Sequence, residues 1–434
     1  MKKTLVLLFI TITSLYSYAQ ERIPISKHEV IAKVTENNNT LKMFEQDMLA
    51  AQGDFNQTNA VFLPNITASY TGIATTNPLI AFGSKLNQEI LTQNDFIPGI
   101  LNDPSQIQNF ATKIEILQPI LNLDGIYQRK AAKAKFNATK FQLDRTQEIL
   151  NLEAEKAYMQ LQLAYKTVTV LETAKKAISE NLRLAENSFK QGYLQRADVL
   201  AVEVRATEVE NQLQYARSNV ENASNYLSVL MNDTSYTVYM PLDSLRIYSE
   251  EISVENLSES RADLQAMQSA TNAYKQLYIA DKMTFLPRLN AFGSYELYDN
   301  EIFQADANGY LFGASLSWNI LEGTKRFGKV QKSKAEFKKS EFEYKQYKAE
   351  SQVELKRAKR MLQDAKNNLK LTDLALQQSK EALRIRTNRF KEGLERTSEL
   401  LTAETQFSQK QLEYYNTIFQ YNYAWAYVHF LTRN

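Results

Sequence analysis

Apolar residues recur at three- and four-residue spacing along two long stretches of this chain. Leu150, Ala154, Ala157, Leu161, Ala164, Val168 and Leu171 trace one helix face, the signature of an amphipathic helix. Good helix formers (Ala, Leu, Glu, Lys, Gln, Arg) dominate both stretches. Shorter runs alternate with period two. Ile66, Ala68 and Tyr70 oppose Asn65, Thr67, Ser69 and Thr71; Phe110, Thr112, Ile114 and Ile116 oppose Ala111, Lys113, Glu115 and Leu117. Leu289, Ala291, Gly293 and Tyr295 oppose Arg288, Asn290, Phe292 and Ser294, and Tyr310, Phe312, Ala314, Leu316, Trp318 and Ile320 oppose small or polar neighbours. The pattern predicts strands over residues ~64–73, ~110–121, ~288–297 and ~310–320. Each has the length of a tilted transmembrane β-strand, with aromatic residues near its ends.

Proline and glycine mark the boundaries. The eight prolines lie at 24, 64, 78, 98, 104, 119, 241 and 287, so 120–240 and 288–434 contain none. Helical hairpins are predicted over ~125–231 and ~323–431, broken once each at Gly192 and Gly393, which suit the left-handed C′ position of a helix. Ser26 with Glu29 forms a capping box, and Asp124 is placed to cap the helix after the second strand. At 1.5 Å per residue the first helix of each hairpin reaches roughly 100 Å and the second about 55 Å. The helices over ~26–61 and ~257–284 add about 54 and 42 Å. Two short helices stacked end to end therefore match one long helix, with residues 232–256 bulging out as an equatorial connection.

The chain also repeats itself. Phe62-Leu63-Pro64 recurs as Phe285-Leu286-Pro287, 223 residues on; Pro119-Ile120-Leu121-Asn122 recurs as Asn319-Ile320-Leu321-Glu322, 200 residues on. Asn187-Ser188-Phe189-Lys190-Gln191-Gly192 recurs as Asn388-Arg389-Phe390-Lys391-Glu392-Gly393, 201 residues on. One structural half is used twice, residues 20–231 and 257–434. The first copy carries about 23 extra residues between its strands, over 73–109, a loop expected outside the cell.

Composition narrows the function. Lys2, Lys3, the apolar stretch Leu5–Leu15 and the small-x-small Ser17-Tyr18-Ala19 predict a signal peptide over residues 1–19, too short to span a bilayer. There is no cysteine, hence no disulfide and no thiol chemistry. The net charge of +2, from 51 basic and 49 acidic residues, argues against nucleic acid as a partner. His28 and His429 stand at opposite ends, and no metalloprotease, phosphate-loop or nucleophile-elbow motif is present. No catalytic residue, cofactor or metal site is expected, and the chain reads as a non-enzyme.

Four strands cannot close a barrel, and open edges are not tolerated in lipid. Two or three copies would close one, with helical hairpins packing between subunits as a tube. The alternative is a periplasmic coiled-coil adaptor or scaffold without a pore; such proteins usually carry one hairpin flanked by Gly-rich β-domains, whereas this chain has two.

The duplicated halves, the Phe-Leu-Pro lead-in, Gln118-Pro119-Ile120-Leu121, Arg261-Ala262-Asp263-Leu264 and the turn from Gly192 to Asp198-Val199-Leu200 together resemble the TolC family of outer-membrane efflux proteins. The resemblance covers essentially the whole mature chain. It implies a mainly α fold with a homotrimeric twelve-stranded outer-membrane β-barrel in lipid and an α-helical periplasmic tunnel. It implies a passive exit duct for efflux or type I secretion in a Gram-negative bacterium, docked on a periplasmic adaptor and an inner-membrane transporter. Ala262 stands where the family often has Pro. Some members close the tunnel tip with a Tyr three residues before the tip glycine, an Arg two after it and acids six and nine after it. Here those positions are Phe390, Glu395, Glu399 and Thr402. Only Glu399 is retained, with Asp198 its first-half equivalent, and Arg396 is the candidate to replace the displaced Arg.

The candidate tip and adaptor-contact residues are accordingly Phe189, Gly192, Asp198, Leu200, Phe390, Gly393, Arg396 and Glu399. Each has a plainer reading. The glycines cap helices, Leu200 and Leu401 pack between helices, and Asp198 and Glu399 complement the positive end of the following helix. Lys113 and Glu115, opposite Ile114 and Ile116, are candidates to face the pore. The aromatic cluster from Tyr414 to Phe430 reads as core near the base of the strands.

Overall fold

The computed structural model describes residues 22–235, 237–249 and 256–433; the signal peptide expected over 1–19 lies outside them, as do seven residues of the 232–256 segment. In order, the chain forms β1 (Arg22–Ile25), α1 (Lys27–Asn37), α2 (Asn39–Gln57), β2 (Asn65–Thr75), α3 (Pro78–Asn87), α4 (Pro98–Asn102), β3 (Ile107–Leu121) and α5 (Leu123–Lys190). Next come α6 (Arg196–Leu230), β4 (Val238–Pro241), α7 (Ala262–Met283), β5 (Arg288–Asp299), β6 (Ala307–Ser317), α8 (Lys325–Lys391) and α9 (Thr397–Thr432). Residues up to Gln46, Phe141–Leu264 and those from Tyr347 on make one compact unit, here the helical unit. Asp47–Lys140 and Gln265–Gln346 make the other, the sheet unit.

In the helical unit, α1 begins on the expected capping box, with Glu29 N–H donating to Ser26 Oγ and Ser26 N–H to the Glu29 carboxylate at 2.8 Å. The helix predicted through residue 61 is broken at Asn38. Its Oδ1 accepts from the N–H groups of Thr40 and Leu41, while its Nδ2 donates to Leu230 O at 2.8 Å. One side chain thus ends α1, starts α2 and ties both to the last turn of α6. The sequence reading also missed a two-stranded parallel sheet, in which β1 pairs with β4 from Arg22↔Val238 to Ile25↔Pro241. The core there is Ile25, Val30, Val34, Tyr158, Leu161, Leu227 and Tyr239.

Arg261 and Asp263 are buried as a bidentate pair with both N–O distances 2.7 Å, and Ser351 and Tyr347 add hydrogen bonds. Burial alone would raise the Asp263 carboxyl, but Arg261, Tyr347 and Arg145 together hold it below the usual carboxylate range. The aromatic ladder of α9 stacks Phe419 on Tyr423, Tyr423 on Tyr427 and Tyr427 on Phe430, with centroids 6.0–6.4 Å apart. Phe419 and Tyr423 pack with Met159, Leu245, Leu369 and Ile418, and Tyr427 and Phe430 with Leu355, Ala358, Val428 and Leu431. This ladder is core of the helical unit, not of the strand base to which the sequence assigned it.

In the sheet unit four antiparallel strands lie in the order β2-β3-β5-β6. β2 and β3 run longer than predicted, through Thr75 and from Ile107. β6 starts earlier and stops at Ser317, short of the predicted 320. Its end is fixed by side chains: the Trp318 indole donates to Phe285 O at 3.0 Å, and Arg326 donates to Asn319 O. α5 is capped not by Asp124 but by Asn122, whose Oδ1 accepts from Gly125 N–H at 3.1 Å; Asp124 instead pairs with Arg288. The long connection between β2 and β3 is folded rather than loose. Asn77 caps α3, Lys85 pairs with Asp95 at 2.6 Å, and buried Gln88 donates to Gln108 O and Asn109 Oδ1. The β5–β6 connection spans only 300–306.

Equivalent contacts recur in the two halves even where the side chains differ. Gln118 donates to Phe62 O at 3.1 Å, as Trp318 does to Phe285 O. Phe55 stacks on Phe136 at 6.5 Å, as Tyr278 stacks on Phe337 at 6.4 Å.

Candidate functional site

Two regions carry the candidate residues, the sheet and the helical turns. In the sheet, period-two alternation separates the faces. One face presents Ile66, Tyr70, Ile114, Ile116, Tyr295, Tyr310, Phe312 and Leu316, all exposed. The register Ala68↔Ile114↔Tyr295↔Tyr310 places them in rows across the strands. An apolar belt of this size, exposed to solvent, demands a cover. The other face carries Lys113 and Glu115. Lys113 Nζ lies 3.3 Å from Glu296 on the adjacent strand and 3.5 Å from Glu115. Ser294 and Tyr298 share this face and bond Glu296. Both outer strands, β2 and β6, keep an unpaired edge among the described residues.

In the helical unit the two turns share one backbone design. Gly192 takes φ +80° and Gly393 φ +71°, a left-handed conformation strained for a residue with a Cβ. Tyr193 N–H bonds Ser188 O at 2.8 Å, and Leu394 N–H bonds Arg389 O at 2.9 Å; each closes the preceding long helix in a Schellman motif.

Side chains separate the turns. At the first, Asp198 completes a capping box, accepting from Gln195 N–H at 3.1 Å. Beneath it Ile178, Ala185, Val199 and Val202 are buried, with Leu182, Leu194 and Leu401 packed on them. Its outer surface is apolar too: Phe189 and Leu200 are exposed, and Tyr193 is 80% exposed.

At the second turn the equivalents of Ala185, Ser188 and Leu194 are Arg386, Arg389 and Glu395. The Glu395 carboxylate, whose side chain is only 13% exposed, lies 3.2 Å from Arg386 and 3.0 Å from Arg389. Arg386 also reaches Glu399 at 2.8 Å. The sequence reading chose Arg396 to supply the missing guanidinium. Arg396 is the N-cap residue of α9 and makes no ion pair among the described residues; the guanidiniums that meet Glu395 and Glu399 are those of Arg386 and Arg389 on α8. Their spacing before Glu395 was the available signal, but it becomes a contact only once the turn folds back. Phe390 is half-buried, Leu200 stays exposed rather than packing, and Leu401 packs against the first turn.

Glu404 was also missed. It accepts a hydrogen bond from Asn181 of α5. Burial pushes its pKa up to about 7, against the weaker opposing pull of Asn181 and Arg205. Its first-half equivalent, Glu203, pairs instead with Arg196 at 3.4 Å. Among the described residues no cluster of metal-ligating side chains occurs, and no helix is long and apolar enough to cross a membrane.

The sequence matches the model of the family described as "outer membrane efflux protein" over residues 30–233 and 254–431. No curated protein matches it. Its fold is similar to that of a membrane protein from Pseudomonas aeruginosa, with TM-score 0.81 at 16% identity, covering 94% of this chain and 93% of that one. The Campylobacter jejuni CmeC outer membrane channel is similar with TM-score 0.78 at 16% identity, covering 94% and 85%. The open state of the Neisseria gonorrhoeae MtrE outer membrane channel follows at 0.77 and 16%, covering 94% and 88%.

Proposed function

Since this chain belongs to the outer membrane efflux protein family, we propose that three copies assemble into a passive exit duct. A twelve-stranded barrel spans the outer membrane, where the protein resides, and helical hairpins line a periplasmic tunnel. An inner-membrane transporter supplies the energy, and a periplasmic adaptor joins it to the duct in an efflux or type I secretion system. The observation that carries this reading is the sheet itself. An exposed apolar face wants lipid, and two unpaired edges cannot remain open in lipid, so identical sheets must close a ring. The opposite face, with Lys113 and Glu115, then lines the lumen.

The tips are the docking surface for the adaptor. Exposed Phe189 and Leu200 offer apolar contact, and Asp198, Arg396 and Glu399 supply charge around the turns at Gly192 and Gly393. The protein should run as a trimer in mild detergent and conduct ions in a planar bilayer. A soluble monomer without conductance sinks the proposal. Photo-crosslinkers placed over 189–199 and 390–400 should capture adaptor from whole cells, and capture only from the sheet unit would refute the docking assignment.

A further inference from the structure

The two offsets of the sequence repeat hold to the residue in the sheet. The β2–β3 hairpin pairs Asn65↔Leu117. Moving the first residue by 223 and the second by 200 gives Arg288↔Ser317, the pair observed in β5–β6. Strand β5 is thus β2 reused, and β6 is β3 reused, without slippage. The central junction, β3 with β5, joins the two hairpins inside one chain. Its register runs from Phe110↔Asp299 to Pro119↔Asn290 before an irregularity between Pro119 and Leu121.

The free edges are the repeat equivalents of that junction: β6 stands for β3, and β2 of a second copy stands for β5. On the reading above that copies of this chain close a ring, we infer that β6 of one copy pairs antiparallel with β2 of the next in the register set by the same offsets. Glu115↔Ser294 becomes Ser315↔Thr71, and Lys113↔Glu296 becomes Gly313↔Ile73. Ile114↔Tyr295 becomes Ala314↔Gly72, and Ile116↔Gly293 becomes Leu316↔Tyr70.

One check supports this register. It keeps Phe312, Ala314 and Leu316 on the same face as Ala74, Gly72 and Tyr70, so the apolar belt continues across the seam; a slip of one residue would turn one strand's apolar set into the lumen. Along that face it sets Phe312 beside Ala74, Ala314 beside Gly72 and Leu316 beside Tyr70. The seam differs from the junction it copies in charge. Lys113–Glu296 has no counterpart, and Asn65 replaces the Arg288 that pairs with Asp124. A closed ring would alternate ion-paired junctions within chains and neutral seams between them, making the seams the weaker of the two.

The chain has no cysteine, so engineered pairs report the register without background. Directly opposed residues in an antiparallel pair have Cα separations of about 4.5–5.5 Å, within disulfide reach. Four double variants combine Ser69→Cys or Thr71→Cys with Ser315→Cys or Ser317→Cys. Under mild oxidation of purified trimer, Thr71→Cys/Ser315→Cys and Ser69→Cys/Ser317→Cys should each link into covalent dimers and trimers. Thr71→Cys/Ser317→Cys and Ser69→Cys/Ser315→Cys, shifted by two residues, should link at least tenfold more slowly. Faster linking in the shifted pairs, or none in the matched pairs while native mass remains trimeric, overturns the register and leaves the trimer standing. A monomeric native mass before oxidation overturns the ring itself.

Discussion

The two hairpin tips have the same backbone and opposite chemistry. Each long helix ends in a glycine at positive φ, and each following helix begins on a residue with an acid three positions later. Within that frame the first tip is held by apolar packing around Ala185, Val199 and Val202. The second is held by Arg386, Arg389, Glu395 and Glu399. Duplication preserved what the turn requires of the main chain and left the side chains free to diverge. Apolar contacts are nearly blind to salt and pH, whereas half-exposed ion pairs are screened. The tips should therefore respond differently to the same solution.

The largest contrast is expected between the equivalent carboxylates Glu404 and Glu203. The pKa of Glu404 is raised to about 7 from its usual 4.5, chiefly by burial. The folded protein therefore holds a proton that the unfolded chain releases between those values. The stabilisation is full below about pH 4.5 and falls away as pH rises through about 7, a loss on the order of 3 kcal/mol by pH 8. Hydrogen exchange along α9 should quicken from pH 5 to pH 8 beyond its intrinsic rate change, and Glu404→Gln should abolish the excess. Glu203→Gln should leave α6 protection unchanged within about 0.5 kcal/mol, since exposed pairs contribute little. Equal effects at both sites would erase the distinction. A β-branched residue at either glycine comes next. Gly192→Val and Gly393→Val should each cost roughly 1–3 kcal/mol of local stability, and a large difference between them would mean the turns are not the same device.

Period and punctuation made the backbone legible. Pro-free stretches with three- and four-residue spacing located the long helices, and glycine located their turns. What escaped the sequence was set by contacts distant in the chain. Asn38 breaks a helix because Leu230 O, 192 residues away, needs a donor. Trp318 leaves its strand because Phe285 O accepts its indole. Asp124 reads as a cap until Arg288 claims it. Arg386 and Arg389 look like solvated helix residues, and only the folded turn brings Glu395 back to them. Analogy with other tips points to Arg396, whereas the ion pairs to Glu395 and Glu399 run from Arg386 and Arg389, which no motif position marks.

Two smaller effects sharpen the comparison. Glu395→Gln should loosen the second tip by about 1 kcal/mol, because half-exposed charge pairs are worth little more than surface ones. Raising salt from 0.05 to 0.5 M should reproduce most of that loss in the unmutated protein and add little to the variant. Asp198→Ala is the finest test. It removes the hydrogen bond to Gln195 N–H and the favourable charge at the start of α6, together about 0.5–1 kcal/mol. Its hydrogen-bond share does not depend on ionic strength, so the cost should persist at 0.5 M salt when read as exchange of the first-turn amides of α6. Glu399→Ala makes the mirror change at α9, but Glu399 meets Arg386 at 2.8 Å rather than a backbone amide. Its cost should shrink in high salt, where the Asp198→Ala cost does not. If both costs fade together, the capping bond contributes nothing, and the two tips differ only in how many charges they carry.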